Sequence, residues 1–424
     1  MNAVSPAAPS PYSPRQNAYL LFVLTLVGAV NWADRQVVPI LFPGIRKDLG
    51  LTDTELGVIS GLAFSLIYAL SAFGFGYAAD RGSRTRVMAL GLVVWSMATA
   101  ASGLATSFWS LFAARFFTGI GEASLYPCAL SLIAERFPAQ RRGMALGIFG
   151  AAAAIGGGLG VGIGGRLSER VGWQNVFFIY GAVGLVCLPL LLSIREVRRE
   201  RAPQHVESPV VALRETVTDV RLLFLWATGT LALASGQGFG AWGPSYFVRH
   251  LGLTIAQAGG LFGLAALTGG ILGGLLGGTL ADRRRRARVG GEFDVVGVAC
   301  VAASGLVFLT IDLAQGSGAS LGGLLATLAI YAIFPGILSA MLSMVPAHRH
   351  GAAGALNTLF LGGVGAAAGP FIVGAASDRL GDLHTALYIP VAGLFAASLL
   401  ATVTGRVVRA RTTDAKIALV AAAG

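Results

Sequence analysis

Apolar stretches of about 20 residues, the length that crosses a bilayer as a helix, alternate along the chain with short polar turns. They fall at 18–42, 57–79, 87–107, 108–133, 143–165 and 174–194, and again at 222–247, 255–281, 294–312, 320–345, 351–376 and 386–408. The pattern predicts twelve transmembrane helices in two six-helix halves, 18–194 and 222–408, separated by one long polar connection at 195–221. A Pro/Ser-rich leader, 1–17, reads as disordered and cytoplasmic, and 409–424 as a cytoplasmic tail. Within the connection, PVVALRETVTDV partly segregates apolar from charged residues at helical spacing, which predicts a short helix lying on the membrane surface. No cleavable signal peptide is expected, because the first apolar run is long enough to span and stay.

Composition agrees with the pattern. Hydrophobic residues make up 55% of the 424 and charged residues 12%, whereas a soluble chain carries about twice that charged share. The 60 glycines suit membrane helices that approach closely. A formal charge of +11 would suggest nucleic acid in a soluble protein, but here the basic residues sit in the turns. With the N-terminus inside, the inner segments hold 23 Lys and Arg, the outer segments 6, and the spans the remaining 2 of 31. That bias orients the chain as a multi-pass protein of the inner (cytoplasmic) membrane with both termini cytoplasmic, and it excludes a nucleic-acid role.

Enzymatic classes find little support. Cys128, Cys187 and Cys300 lie in apolar runs, and His205, His250, His348, His350 and His384 lie in or beside loops. Neither set has metal or redox spacing, so no metal or other cofactor is expected. No phosphate-binding G-x-x-x-x-G-K-[ST] occurs, which argues against an ATP-driven pump.

The halves look like repeats. GYAADRGSRTR follows the second span and GTLADRRRRAR the eighth, placing Gly76, Asp80, Arg81 and Arg84 in register with Gly278, Asp282 and Arg283. A fainter copy, GAASDRLG, follows the eleventh span with Gly374, Asp378 and Arg379. The first two copies predict a cytoplasmic gate: glycine allows close approach, aspartate accepts bonds from a neighbouring helix start, and arginines pair across the moving halves or hold lipid phosphate.

Charge inside the spans is costly, by roughly 3 kcal/mol or more per group, and it is concentrated in the first half. NWADRQ puts Asp34 and Arg35 near the middle of the first span, about 100° apart around the helix. The fourth span carries Arg115 and Glu122, seven residues apart and so on one face. Asp34, Arg115 and Glu122 are expected to share the interior of that half, with Arg115 as the cation between two acids. While an arginine contacts a carboxylate the acid stays ionised; when the contact breaks, the buried acid takes up a proton. That is a means of coupling protons to the direction in which a cavity opens.

The second half offers a glycine-dense aromatic segment, GQGFGAWGPSYF, with Gln237 and Trp242, then Tyr331 and Asn357. With Asn31, Arg35 and Tyr68 of the first half, these are the candidate substrate contacts. They predict a partly apolar cavity wall, suited to an amphipathic or lipid-like anionic solute better than to a sugar. Membrane lipids and protons are the other expected partners. Monomeric function is expected, because the two halves already enclose a path.

The twelve-span plan and DRGSRTR at 80–86 resemble the major facilitator superfamily, as does VGWQNVFFIYG at 171–181. Within it, NWADR and ARFFTGIGEA resemble the spinster-like transporters, whose first helix carries an N-Y-x-D-R type motif and whose fourth an R-x-x-x-G-x-G-E-A pattern. Asn31, Asp34 and Arg35 match the first, with Trp32 in place of tyrosine; Arg115, Gly119, Gly121, Glu122 and Ala123 match the second. The resemblance implies a proton-linked carrier of sphingolipids, sphingosine phosphate or lysophospholipids. It also implies protonatable roles for Asp34 and Glu122 and a gating or coupling role for Arg115. Related branches move organic acids, sugar acids and drugs, and that alternative stays open.

Overall fold

A computed structural model describes residues 12–196, 215–313, 316–346 and 349–423, with no account of the side chains of 80, 81, 139 and 412–423. Leader residues 1–11 and connection residues 197–214, including the first part of the expected surface helix, lie outside the described residues; 215–217 form one helical turn.

The described residues are all helical, with no strand. The helices are α1 Pro14–Leu49, α2 Asp53–Ala79, α3 Arg84–Ser102 and α4 Phe108–Arg136, followed by a continuous 53-residue stretch, Gln140–Leu192. At 1.5 Å per residue that stretch is about 80 Å long, far beyond one bilayer. Gly172 breaks it with φ 80 and ψ 161, a backbone conformation that only glycine adopts readily. The result is two crossings, α5 (140–171) and α6 (173–192). The second half contains α7 Val220–Arg249, α8 Ile255–Ala287, α9 Glu292–Leu313, α10 Ser317–Met344, α11 His350–Leu380 and α12 Leu383–Arg411. Twelve crossings in two sets of six are as the hydropathy predicts, and an even number returns both chain ends to one face, called here the terminal face.

Local sequence sets the helix ends. Ser13 with Gln16, Thr52 with Glu55 and Thr254 with Gln257 form reciprocal capping boxes at the starts of α1, α2 and α8. At the C-terminus of α1, Gly50 adopts the left-handed conformation. Stretches of α2 and α11, Val58–Leu66 and Thr358–Gly365, are π-helical, and both contribute residues to the central cavity.

The halves touch through α2 against α11, α5 against α8, and α1 against α7. Toward the far face the approach is backbone on backbone: a Cβ on Gly61 would lie 2.4 Å from the Ala367 carbonyl, and one on Gly263 2.5 Å from that of Gly158. Toward the terminal face the same helices diverge, and Gly74, Gly76, Gly147, Gly150, Gly274 and Gly354 have open space beside them. The cores repeat this division. One apolar core joins both halves at the far end, where Phe42 meets Trp242 with ring centroids 5.0 Å apart; a second, around Leu24, Trp95, Leu132 and Phe149, belongs to the first half alone. The chain is therefore shut at the far face and open at the terminal face.

Candidate functional site

One face of α1 makes the floor of the site. Trp32, Arg35, Gln36, Pro39 and Ile40 recur at helical spacing and line a central cavity of about 330 Å³. Phe64 and Tyr68 of α2 close one side; Gln237 and Phe239 of α7, Phe262 of α8 and Tyr331 of α10 close the other. Among the described residues that line it, Arg35 is the one that carries a charge.

Arg35 is tightly held. Its Nη2 donates to Oε2 of Glu122 at 3.0 Å and its Nε to the same oxygen at 3.3 Å. Its guanidinium carbon lies 4.8, 4.7 and 4.4 Å from the ring centroids of Trp32, Phe64 and Tyr68, so aromatic faces surround the cation. Trp32 is fixed in turn by donating from Nε1 to the Tyr126 hydroxyl at 2.8 Å. Glu122 is fully buried, and its other oxygen has no hydrogen-bond partner among the described residues.

Asp34 points elsewhere, as adjacent helical residues must. It is buried against α3, where Thr99 donates its hydroxyl to Oδ2 at 2.8 Å, and Oδ1 has no hydrogen-bond partner among the described residues. The expected arrangement of Arg115 between two acids needs correction. Arg115 is buried within electrostatic reach of Glu122 and Asp34, yet the ion pair with Glu122 is made by Arg35. Nε and Nη1 of Arg115 have no hydrogen-bond partner among the described residues, and its guanidinium lies 5.0 Å from the Phe64 ring centroid. Both arginines thus share the Phe64 ring as a neighbour. Which cation pairs with Glu122 depends on the rotation of α1 against α4, which spacing along α4 alone does not report.

Of the seven expected substrate contacts, Arg35, Tyr68, Gln237 and Tyr331 line the cavity. Asn31 is fully buried behind it, with neither amide atom hydrogen-bonded among the described residues. Asn357 is not among the lining residues. Trp242 belongs to the far-end core, where it packs on Phe42 and donates to the Pro370 carbonyl at 2.8 Å. An aromatic residue in a glycine-rich helix reads the same in sequence whether it faces a cavity or a core.

Among the described side chains, no expected gate residue bonds across the halves in this conformation. Arg84 pairs with Glu135 at 2.8 Å and Glu196 at 2.7 Å, both in its own half, and Asp282 pairs with Arg285 beside it in α8. A Cβ on Gly76 would have open space beside it, and one on Gly278 would meet Pro335 of its own half. The side chains of Asp80 and Arg81 lie outside the described residues, and Arg283 makes no hydrogen bond or ion pair across the halves among the described residues. Closure is at the opposite end. There Asp53, buried at the start of α2, accepts from Arg249 of α7 at 2.7 and 2.9 Å, from Arg46 at 2.7 Å and from Ser377 of α11 at 2.7 Å. Sequence reading missed this hub; the signal was an aspartate just after the Thr52 cap, with Arg46 before it and Arg249 in a facing outer segment.

The profile of the Major Facilitator Superfamily matches residues 24–370, and the chain belongs to that family of membrane transporters. Its relatives place it in the spinster-like branch, as NWADR and the α4 motif suggested. It is 29% identical to human "Protein spinster homolog 1" over 399 residues, 87% of this chain and 74% of that one. It is also 31% identical to an "MFS-type efflux pump" of Mycolicibacterium smegmatis over 381 residues, 88% of this chain and 87% of that one. In fold it is similar to a solved bacterial homolog of the human lysosomal transporter Spinster in an inward-facing, unoccupied conformation. The TM-score is 0.76 at 22% identity, covering 94% and 96% of the two chains.

Proposed function

We propose that the chain is a proton-coupled secondary carrier of amphipathic anions, of the lysophospholipid, sphingosine or sphingosine-phosphate kind, working by alternating access across the inner membrane. The observation that carries this reading is Arg35, a single guanidinium on an otherwise uncharged and largely apolar cavity wall, held by a fully buried carboxylate. An anionic headgroup entering the cavity competes with Glu122 for Arg35. Once released, Glu122 is an unpaired carboxylate away from water, and proton uptake is the cheapest way to neutralise it. Headgroup binding and protonation are thereby linked through one cation. Asp34, with one oxygen unbonded beside Arg115, is the second proton site.

The test is flux in proteoliposomes under an imposed pH gradient. Glu122→Gln and Asp34→Asn are expected to fold, to retain downhill exchange of lysophospholipid, and to lose acceleration by the gradient. Full gradient dependence in both variants would overturn the coupling assignment. The second reading is a carrier of organic anions or drugs, and the similarity to a mycobacterial efflux pump accommodates an export role for it. Acyl length separates the two: a lipid carrier gains affinity by about 0.8 kcal/mol, roughly fourfold, for each buried CH₂, whereas an organic-anion carrier is indifferent to it.

A further inference from the structure

Four helices end in one pattern, G-x-x-x-[DE]-R. It occurs at Gly76, Asp80 and Arg81 in α2; Gly165, Glu169 and Arg170 in α5; Gly278, Asp282 and Arg283 in α8; and Gly374, Asp378 and Arg379 in α11. These are the second and fifth helices of each half. The copies of α5 and α11 lie at the far face, those of α2 and α8 at the terminal face.

Both far-face copies reach across the halves to a helix start. Asp378 accepts from the backbone N–H of Asp53 at 3.1 Å and of Thr54 at 2.7 Å, and from the Thr54 hydroxyl at 2.5 Å, capping α2. Glu169 accepts from the backbone N–H of Ala256 at 2.7 Å, capping α8. In each case the glycine four residues earlier allows the approach. A Cβ on Gly374 would lie 2.3 Å from the Asp53 carbonyl, and one on Gly165 2.8 Å from that of Ile255. The first turn of a helix presents unpaired N–H groups and the positive end of its dipole, so a carboxylate there is stabilising only while the partner half is seated. Gly76 and Gly278, the corresponding glycines at the terminal face, touch nothing of the other half.

We propose that Glu169 and Asp378 are paired latches, related by the pseudo-symmetry of the halves, that hold the far face shut and set the resting population of the conformation open at the terminal face. The proposal rests on the alternating-access part of the function above, but not on its substrate or its proton coupling. The latch caps form only when both halves close at the far face, so each carboxylate adds to the stability of one conformation alone.

The test is distance measurement between spin labels in substrate-free nanodiscs, so it is independent of transport. Labels at Thr106 and Ser317 report across the far face, and labels at Gln140 and Pro346 across the terminal face, in a background with Cys128, Cys187 and Cys300 changed to Ser. The double variant Glu169→Ala with Asp378→Ala is expected to raise the ratio of far-face-open to far-face-shut molecules by about tenfold, lengthening the first distance and shortening the second. Glu169→Lys with Asp378→Lys, which sets a like charge against each helix start, is expected to shift it further. Glu55→Ala, which removes the Thr52 capping partner within α2's own half, is expected to leave both distances in place. Distributions unchanged from wild type in the two latch variants would overturn the proposal, and so would an equal shift in Glu55→Ala.

Discussion

Asp34 and Arg35 are neighbours in sequence and belong to different contacts, one toward α3 and the other toward α4 and the cavity. That separation followed from helical geometry, and so did the expectation that buried charge would find charge. The partner of Glu122 was not legible, because Arg35 and Arg115 both lie near enough to it and only the packing of α1 on α4 selects between them. Thr99 was illegible for another reason: hydroxyl residues are common in membrane helices, and nothing in α3 distinguishes the one that meets Asp34. Its role is testable. Thr99→Val keeps the shape and removes the one side-chain hydrogen bond that the Asp34 carboxylate accepts among the described residues. Loss of a donor to a buried charged group costs about 1–3 kcal/mol, so the variant is expected to unfold several degrees earlier in detergent at neutral pH. Asp34→Asn placed on top of it is expected to recover most of the loss, because the uncharged amide needs the donor less. Differential scanning fluorimetry of the single and double variants checks both outcomes.

At the scale of elements, hydropathy and caps carried most of the information. All twelve expected spans are present, with ends displaced where capping residues extend the helix beyond its apolar part, as Ser13 does for α1. The repeated D-R-containing segment was legible as a repeat but not in its contacts. Arg84 fastens α3 to its own half, together with Glu196, which accepts from Ser83 at 2.8 Å and from the Thr85 hydroxyl at 2.6 Å. Partial burial alone would raise the Glu196 carboxyl, but bonds from Thr85, Arg84 and Ser83 outweigh it and hold the group down at about 2. Because the folded value lies below the ordinary 4.5, the stabilisation is present above about pH 4.5 and is lost as the pH falls toward 2. Glu196→Gln is therefore expected to be less stable than wild type by on the order of 2 kcal/mol at neutral pH. The gap should close steadily below about pH 4.5. Thermal unfolding of the two proteins across that range measures it; a gap that stays constant down to pH 3 would show that the charge of Glu196 is not what fastens α3.

At the scale of the whole molecule, the sequence carries two six-helix units but not the conformation in which they rest, since under the proposed alternating access one set of helix faces serves both ends of the cycle. The resting contacts favour a shut far face, and Asp53 is their centre. Only 1% exposed, it draws bonds from α7 and α11 of the other half as well as from Arg46 of its own. Removing Arg249 takes away its bidentate partner and leaves a buried carboxylate short of charge, at a cost of about 2–4 kcal/mol borne by the far-shut conformation alone. In the alternative conformation the halves part at this end, water reaches Asp53 and the loss vanishes. Arg249→Ala is therefore expected to move the equilibrium toward an open far face without unfolding the protein. A Tyr331→Cys reporter on the cavity wall, in the same cysteine-free background, is expected to react with a membrane-impermeant maleimide added at the far face. The rate should be at least tenfold faster than with Arg249 present, and labelling from the terminal face should slow in step. Arg249→Lys keeps the charge and loses the two-pronged geometry, so its rate should fall between the two. If far-face labelling is the same in all three proteins, Asp53 is a structural pair within a fixed wall and the far face is held by the packing of Phe42 and Trp242.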